Sequence, residues 1–182
     1  QSRGSSPGLF GICLGFQLAV VEFARNVICW EDAHSAEMAP SDDSSHKIVV
    51  IEMPEHHTGI MGGTMRLGKK TTMFKIREDR QKSILWQLYG KPDSIEERHR
   101  HRYEVDKNFV PDFEKAGLKF FGEDETGERL EILELQDHPY FVAVQFHPEY
   151  ISRPTRPSPP YLGLILASCN LLEEHLKESP MC

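Results

Sequence analysis

A chain of 182 residues with a formal net charge of −7 is long enough for one domain with a hydrophobic core, and its acidic balance argues against a dedicated nucleic-acid or anionic-membrane binder. Its four cysteines show neither the C-x-x-C spacing of a zinc site nor the density of a disulfide framework. No apolar run reaches the length of a membrane span. We therefore expect a cytoplasmic protein that binds neither nucleic acid nor membrane.

The two ends of the sequence predict little structure. Residues 1–8 lack the apolar core of a signal peptide and indicate a disordered leader, and residues 179–182 form a short tail. The absence of an initiator Met indicates a processed chain or a fragment. Residues 9–178 are left as one partial domain.

The first part of the chain predicts a strand, a helix and a second strand. The elements in order are strand 9–12, helix 14–26, an acidic Ser-rich loop 31–46, strand 47–53 and a glycine-containing loop 55–63, which is either a lid or an ordinary connection. The helix is apolar on most sides, as expected of a helix that packs on a parallel sheet.

The remainder alternates helices with further strands. The elements in order are strand 65–76, helix 83–89, strand 96–105, helix 109–116, strands 118–122, 130–135 and 141–146, a proline-rich connection 152–160 and a closing helix 161–177. This order predicts an α/β domain with an open, mostly parallel sheet flanked by helices.

The sharpest chemical signal is Cys13, which stands in the motif GICLG at 11–15. Glycines two residues before and after a nucleophile are typical of a sharp strand-to-helix turn, where side chains would clash with the helix. Cys13 would then lie at a helix N-terminus, and the helix N–H groups together with a protonated histidine would lower the pKa of the thiol.

A base and an orienting carboxylate follow late in the chain, at His147 and Glu149. Pro148 between them restricts His147 to an extended backbone, so that both side chains are expected on the same side of a strand-like segment. Cysteine, histidine and glutamate together complete the logic of a hydrolase triad with sulfur as the nucleophile.

These motifs resemble those of a known family. GICLGFQ at 11–17 and FHPEY at 146–150 are similar to the nucleophile elbow and the late His-Pro-Glu of class I glutamine amidotransferases. Three further segments look like the glutaminase domain of the CTP synthase family: MGGTMRLG at 61–68, ERHRHRYEV at 97–105, and SRP at 152–154 with PSPPY at 157–161.

The resemblance implies a reaction and its partners. L-Glutamine would be hydrolysed to glutamate and ammonia, and a synthetase domain absent from this sequence would use the ammonia, ATP and Mg²⁺ to convert UTP to CTP. GTP is implied as a candidate allosteric activator. The full-length protein would be a homo-oligomer, a tetramer with filaments as a further assembly.

The resemblance also assigns roles to residues. It implies that Cys13, His147 and Glu149 are catalytic, and it implies that the glutamine is held by Leu14, Gln17, Glu37, Arg102 and Tyr103. Without it, Glu37 would be interpreted as a solvated loop acid and Arg102 as one basic residue in a charged run. Arg66 falls in a segment that the family links to GTP, although it could equally be a plain surface charge.

Two features limit the interpretation. His99 and His101 are two residues apart, so on a strand both would lie on one face, as a pair of metal ligands does. The neighbouring arginines would repel a cation, so we expect no metal. Only twelve residues precede Cys13, so the N-terminal part of an amidotransferase domain would be missing, with one of two oxyanion donors. We therefore expect weak or no turnover by this chain.

Two alternatives to the glutaminase interpretation remain. The first is a catalytically silent fragment or short isoform that associates with full-length CTP synthase. The second is a free-standing cysteine hydrolase such as a γ-glutamyl peptidase, and the segments 98–105 and 152–161 argue against it.

Overall fold

The computed structural model describes residues 7–40, 45–53 and 65–178. Most of the predicted leader, the tail, all of the predicted loop 55–63 and half of the motif at 61–68 lie outside these ranges, so the lid interpretation stays a prediction. Among the described residues, no helix is both long and apolar enough to cross a membrane.

Nine strands and five α-helices form the described fold. The strands are β1 Leu9–Ile12, β2 Ala33–Ser35, β3 Lys47–Glu52, β4 Arg66–Phe74, β5 Ser94–His101, β6 Tyr103–Val105, β7 Leu118–Asp124, β8 Leu130–Leu135 and β9 Phe141–Val144. The helices are α1 Leu14–Asn26, α2 Ile84–Leu88, α3 Val110–Lys115, α4 Pro159–Ser168 and α5 Leu172–Glu178.

The strands form two mixed sheets, one of six strands in the order β1-β9-β8-β7-β4-β5 and one of three in the order β2-β3-β6. The α/β class is as predicted, but among the described pairings only β1 with β9 and β2 with β3 are parallel. Short turns join β7, β8 and β9, and such connections reach only an antiparallel neighbour.

Three predicted elements differ in the structure. The loop 31–46 contains the short strand β2, which is too brief to show a periodic pattern. The strand 96–105 breaks at Arg102 into β5 and β6, which belong to different sheets. The closing helix 161–177 is two helices, because Asn170 takes a left-handed conformation (φ 58°) between α4 and α5.

Both faces of the large sheet are buried at its central strands β7, β8 and β9. Neighbouring side chains on a strand point to opposite faces, so Phe120 and Leu133 pack on one side with α1 and α3. Phe121 and Ile132 pack on the other side with α2, α4 and α5. The sheet is therefore a rigid central layer, and the ends of β1 and β9 are held in place within it.

Candidate active site

Cys13 occupies a sharp turn between β1 and α1. Its backbone angles are φ 52° and ψ −100°, a conformation that costs energy for any residue other than glycine. The turn is held on both sides, because the Cys13 N–H donates to the Val144 carbonyl of β9 at 2.8 Å and the Cys13 carbonyl accepts from the N–H of Phe16 at 3.1 Å. The predicted nucleophile elbow is present.

The two flanking glycines are not equivalent. A Cβ at Gly11 would lie 2.8 Å from the Gly15 carbonyl oxygen and 2.9 Å from the Ala143 Cβ. A Cβ at Gly15 would meet no atom of the described residues within 4 Å. The steric reason given for both glycines therefore holds for Gly11 alone, where the strand passes close to the start of the helix.

The thiol of Cys13 has a different pKa shift from the predicted one. Burial raises the pKa of Cys13, and the nearby charges of Glu149 and Glu37 raise it further. Hydrogen bonds from the Leu14 N–H and the Gln145 amide act in the lowering direction, but burial outweighs them. The prediction of a lowered pKa was wrong because it counted the helix terminus and left out desolvation.

His147 and Glu149 form a hydrogen-bonded pair. The Nδ1 atom of His147 lies 2.7 Å from Oε1 of Glu149. The two residues do not share a strand-like segment as predicted, because Pro148–Tyr150 is a 3-10 turn that brings the carboxylate back onto the imidazole. With Nδ1–H donating to the carboxylate, Nε2 of His147 carries the lone pair that a general base needs.

Cys13 and His147 are not hydrogen bonded to each other. In the described chain, the partners of the Cys13 sulfur are the Arg100 carbonyl and the Gln145 amide, each at 3.7 Å. Nε2 of His147 is buried and has no hydrogen-bond partner among the described residues. It is therefore available to take up a proton at this site.

A pocket of about 220 Å³ opens beside Cys13. Its lining contains all the residues predicted to hold glutamine, which are Leu14, Gln17, Glu37, Arg102 and Tyr103, together with Met65, Arg100 and His101. Glu37 and Arg102 are exposed at this pocket, which gives it one anionic and one cationic group. His147 and Glu149 are not among its described lining residues.

Arg102 and Tyr103 reach the pocket because the chain leaves one sheet and enters the other at this point. The Arg102 carbonyl accepts from the N–H of Met53 at 2.9 Å, and Tyr103 begins β6, which pairs with β3. The Tyr103 carbonyl then accepts from Nε2 of Gln17 at 2.9 Å and lies 3.0 Å from Nδ1 of His101. The backbone around Tyr103 is thus fixed from two sides.

His99 and His101 form a buried pair that the metal interpretation did not anticipate. Nδ1 of His99 lies 3.3 Å from Nε2 of His101, and Nε2 of His99 lies 3.8 Å from a carboxylate oxygen of Glu131. Burial lowers the pKa of both imidazoles, so the pair is neutral. Among the described residues, no group of three or more His, Cys, Asp or Glu side chains is arranged to hold a metal ion.

Arg66 is the first residue of β4, within the predicted strand 65–76. Its Nη2 atom is 2.7 Å from Oε1 of Glu131, and its Nη1 atom is 3.7 Å from a carboxylate oxygen of Asp124. Both carboxylates are almost completely buried. A phosphate at this guanidinium would have to compete with two acidic partners, and the link of Arg66 to GTP stays a prediction.

Gln145 is a residue of this site that the sequence analysis did not identify. It is fully buried, and its amide links the Cys13 sulfur to Gln17. Two signals could have identified it: it is the one polar residue in the apolar run 141–146, and it stands two positions before His147.

Comparison with known proteins agrees with this geometry. The family described as "Glutamine amidotransferase class-I" matches residues 1–167. The chain is 53% identical to human CTP synthase 1 over 177 residues, which are 97% of this chain and 29% of that protein. It is 54% identical to CTP synthase of Drosophila pseudoobscura pseudoobscura over 176 residues, 97% of this chain and 26% of that protein.

A solved structure is also similar. The glutaminase domain of Trypanosoma brucei CTPS with bound acivicin superposes with a TM-score of 0.78 at 39% identity, over 90% of this chain and 60% of that one. The chain therefore spans less than a third of the CTP synthases that it matches. The predicted fold class and the resemblance to the glutaminase domain of CTP synthase are confirmed.

Proposed function

Since this chain belongs to the class I glutamine amidotransferase family, we propose that it binds L-glutamine in the pocket beside Cys13 and hydrolyses the side-chain amide to glutamate and ammonia. One observation supports this most directly: the pocket joins a cysteine on a strained turn to an exposed acid and an exposed arginine. An α-amino acid carries the two opposite charges that such a pair would bind.

Each end of the substrate has a matching group. The Glu37 carboxylate would bind the α-ammonium group, and the planar guanidinium of Arg102 would bind the α-carboxylate through two parallel hydrogen bonds. Gln17 and Tyr103 line the same pocket, and the aliphatic part of the substrate would pass along them. The amide carbon would then lie next to Cys13.

The reaction follows from this placement. The sulfur attacks the amide carbon, and His147 takes the thiol proton and delivers it to the departing nitrogen, so that ammonia leaves and a glutamyl thioester remains. The Leu14 N–H would stabilise the oxyanion of the tetrahedral intermediate. Water then attacks the thioester with His147 as base, which releases glutamate and restores the thiol, while Glu149 holds the imidazole throughout.

In the complete protein, the ammonia would pass to a synthetase domain that aminates UTP to CTP with ATP and Mg²⁺. Assembly into a homo-oligomer, activation by GTP and a cytoplasmic location belong to the same proposal. The identity to CTP synthases over 97% of this chain supports it. Among these steps, the activation by GTP is linked to a residue of this chain, Arg66.

Covalent labelling tests the glutaminase proposal. An L-glutamine analogue with a chloromethyl ketone in place of the amide should modify Cys13 faster than the exposed Cys29 and Cys169. Free L-glutamine should protect Cys13, and the D-enantiomer of the probe should show no preference for it. Equal labelling of all three cysteines, unaffected by L-glutamine, would contradict the proposal.

A second candidate function is a catalytically silent chain that associates with full-length CTP synthase. It is favoured by the missing hydrogen bond between Cys13 and His147 and by the raised pKa of the thiol. Apo enzymes often show such long contacts, which is why it ranks second. Co-elution of the purified chain with purified CTP synthase, together with no selective labelling of Cys13, would favour this candidate over the first.

A further inference from the structure

Gln145 follows the last residue of β9 and is completely buried. Its backbone N–H donates to the Glu131 carbonyl of β8 at 2.9 Å, which fixes the direction of the side chain. Burying an amide among apolar residues costs free energy unless its polar atoms find partners. The partners here are not structural neighbours in the core but the nucleophile and a pocket residue, Gln17.

The Tyr103 backbone carbonyl sets the orientation of the Gln145 amide through the side chain of Gln17. The Tyr103 carbonyl can only accept, so the Gln17 side chain turns its Nε2 atom toward it, at 2.9 Å. The same Nε2 atom donates to Oε1 of Gln145 at 3.2 Å. The remaining atom, Nε2 of Gln145, therefore points at the Cys13 sulfur, 3.7 Å away. This series of hydrogen bonds therefore places a donor opposite the sulfur.

We propose that Gln145 is a catalytic residue that donates a hydrogen bond to the Cys13 sulfur, stabilises the thiolate and aims it into the pocket. This inference rests on the proposed function, in which Cys13 is the nucleophile. A hydrogen bond to an ionised acceptor is stronger than one to a neutral acceptor, so the contact favours the thiolate over the thiol. It also ties the sulfur to Gln17 and Tyr103 in the pocket wall.

The electrostatic surroundings explain why such a donor is useful. Burial and two nearby carboxylates oppose ionisation of Cys13, and His147 is not hydrogen bonded to the sulfur. The Gln145 amide and the Leu14 N–H are the groups that lower the pKa of the thiol. Without the Gln145 amide, the Leu14 N–H would be the remaining hydrogen-bond donor that lowers the pKa of the thiol, while burial would still raise it.

Two variants test the inference, with a matched control. Gln145→Met keeps the length of the side chain without a donor, and Gln145→Asn keeps an amide that is one methylene too short. The control is Gln81→Met, which makes the same change at an exposed glutamine. In each protein, the rate of iodoacetamide alkylation is followed against pH, separately for Cys13, Cys29 and Cys169, by peptide mass spectrometry.

The midpoint for Cys13 should rise by about 1–2 pH units in both Gln145 variants, the size expected for loss of one hydrogen bond to a charged group. The midpoints for Cys29 and Cys169 should not move, and Gln81→Met should behave as wild type. An unchanged Cys13 midpoint in a folded Gln145 variant would overturn the inference.

A measurement on the unmodified chain covers the case in which both variants unfold. The side-chain ¹⁵N–¹H resonances of Gln145 should titrate with the same midpoint as alkylation of Cys13, and alkylation should abolish that titration. Side-chain resonances of Gln145 whose chemical shifts do not change as Cys13 ionises would refute the inference. Because neither experiment uses glutamine, a lack of protection by glutamine would count against the proposed function alone.

Discussion

The closeness of β1 to α1 leads to a sharp prediction, because two glycines four positions apart should respond in opposite ways to alanine. At Gly11, the added Cβ would lie 2.8 Å from the carbonyl oxygen of Gly15 and 2.9 Å from its carbonyl carbon, both rigid backbone atoms. At Gly15, it would enter open space among the described residues, in the first turn of α1. The same chemical change is thus made on both sides of one turn.

The magnitudes follow from these surroundings. Overpacking costs about 1–3 kcal/mol, and we expect Gly11→Ala to lie near 3 kcal/mol because backbone must move. Replacing a helical glycine with alanine gains up to about 1 kcal/mol. For a chain of this size, about 1 kcal/mol shifts the melting temperature by about 2–4 °C, so Gly11→Ala should lower it by about 6–12 °C and Gly15→Ala should raise it by up to about 4 °C.

Thermal unfolding followed by circular dichroism measures both changes against the wild-type chain. Alkylation of Cys13 by iodoacetamide at 20–25 °C should also change in Gly11→Ala, because the turn that presents the sulfur is displaced. The reasoning would be refuted if Gly11→Ala melted within about 1 °C of wild type, or if Gly15→Ala lost as much stability as Gly11→Ala.

Three further predictions concern ionisable groups. Because burial raises the pKa of Cys13, its alkylation should have a midpoint pH above about 8.5, the pKa of an unperturbed thiol, and a lower midpoint would contradict this. Glu149→Gln should slow alkylation of Cys13 by the chloromethyl ketone about 10²–10⁴-fold with unchanged affinity, and an unchanged rate would remove Glu149 from the catalytic group. Burial holds the pKa of His101 at about 4, below its unfolded value, so its contribution to stability is present above pH 6.5 and is lost as pH falls to 4. His101→Asn keeps a hydrogen-bond donor that does not titrate. Between pH 6.5 and pH 4, its free energy of unfolding in urea should fall by up to about 3 kcal/mol less than that of the wild type. Parallel pH curves for the variant and the wild type would contradict the assignment.

The parts of the site that could be predicted are those encoded in short local patterns. The elbow follows from the spacing of Gly11 and Cys13, because a close approach of strand and helix requires glycine. The pairing of His147 with Glu149 follows from their separation by one residue, although the actual geometry is a 3-10 turn. Local chemistry thus identified the reactive groups.

The parts that could not be predicted depend on partners distant in the sequence. The strand 96–105 has an uninterrupted pattern, yet it breaks at Arg102 because β5 pairs with β4 while β6 pairs with β3. Gln145 acquires its role only when Tyr103 and Gln17 come together. Desolvation of Cys13 likewise depends on how the whole domain covers it, and this reversed the predicted direction of its pKa shift.

The site exists because the large sheet contains one parallel pair. In the described part of that sheet, β1 and β9 are the only neighbours that run the same way, with Ile12 opposite Val144. The carboxyl ends of parallel neighbours lie at the same edge, which is where α/β proteins place their reactive groups. Cys13 follows β1 directly and Gln145 and His147 follow β9, so residues at opposite ends of the sequence become neighbours by register alone. The antiparallel strands extend the sheet from β9 but bring no nucleophile to this pair, which is why the mixed sheet leaves the predicted chemistry intact.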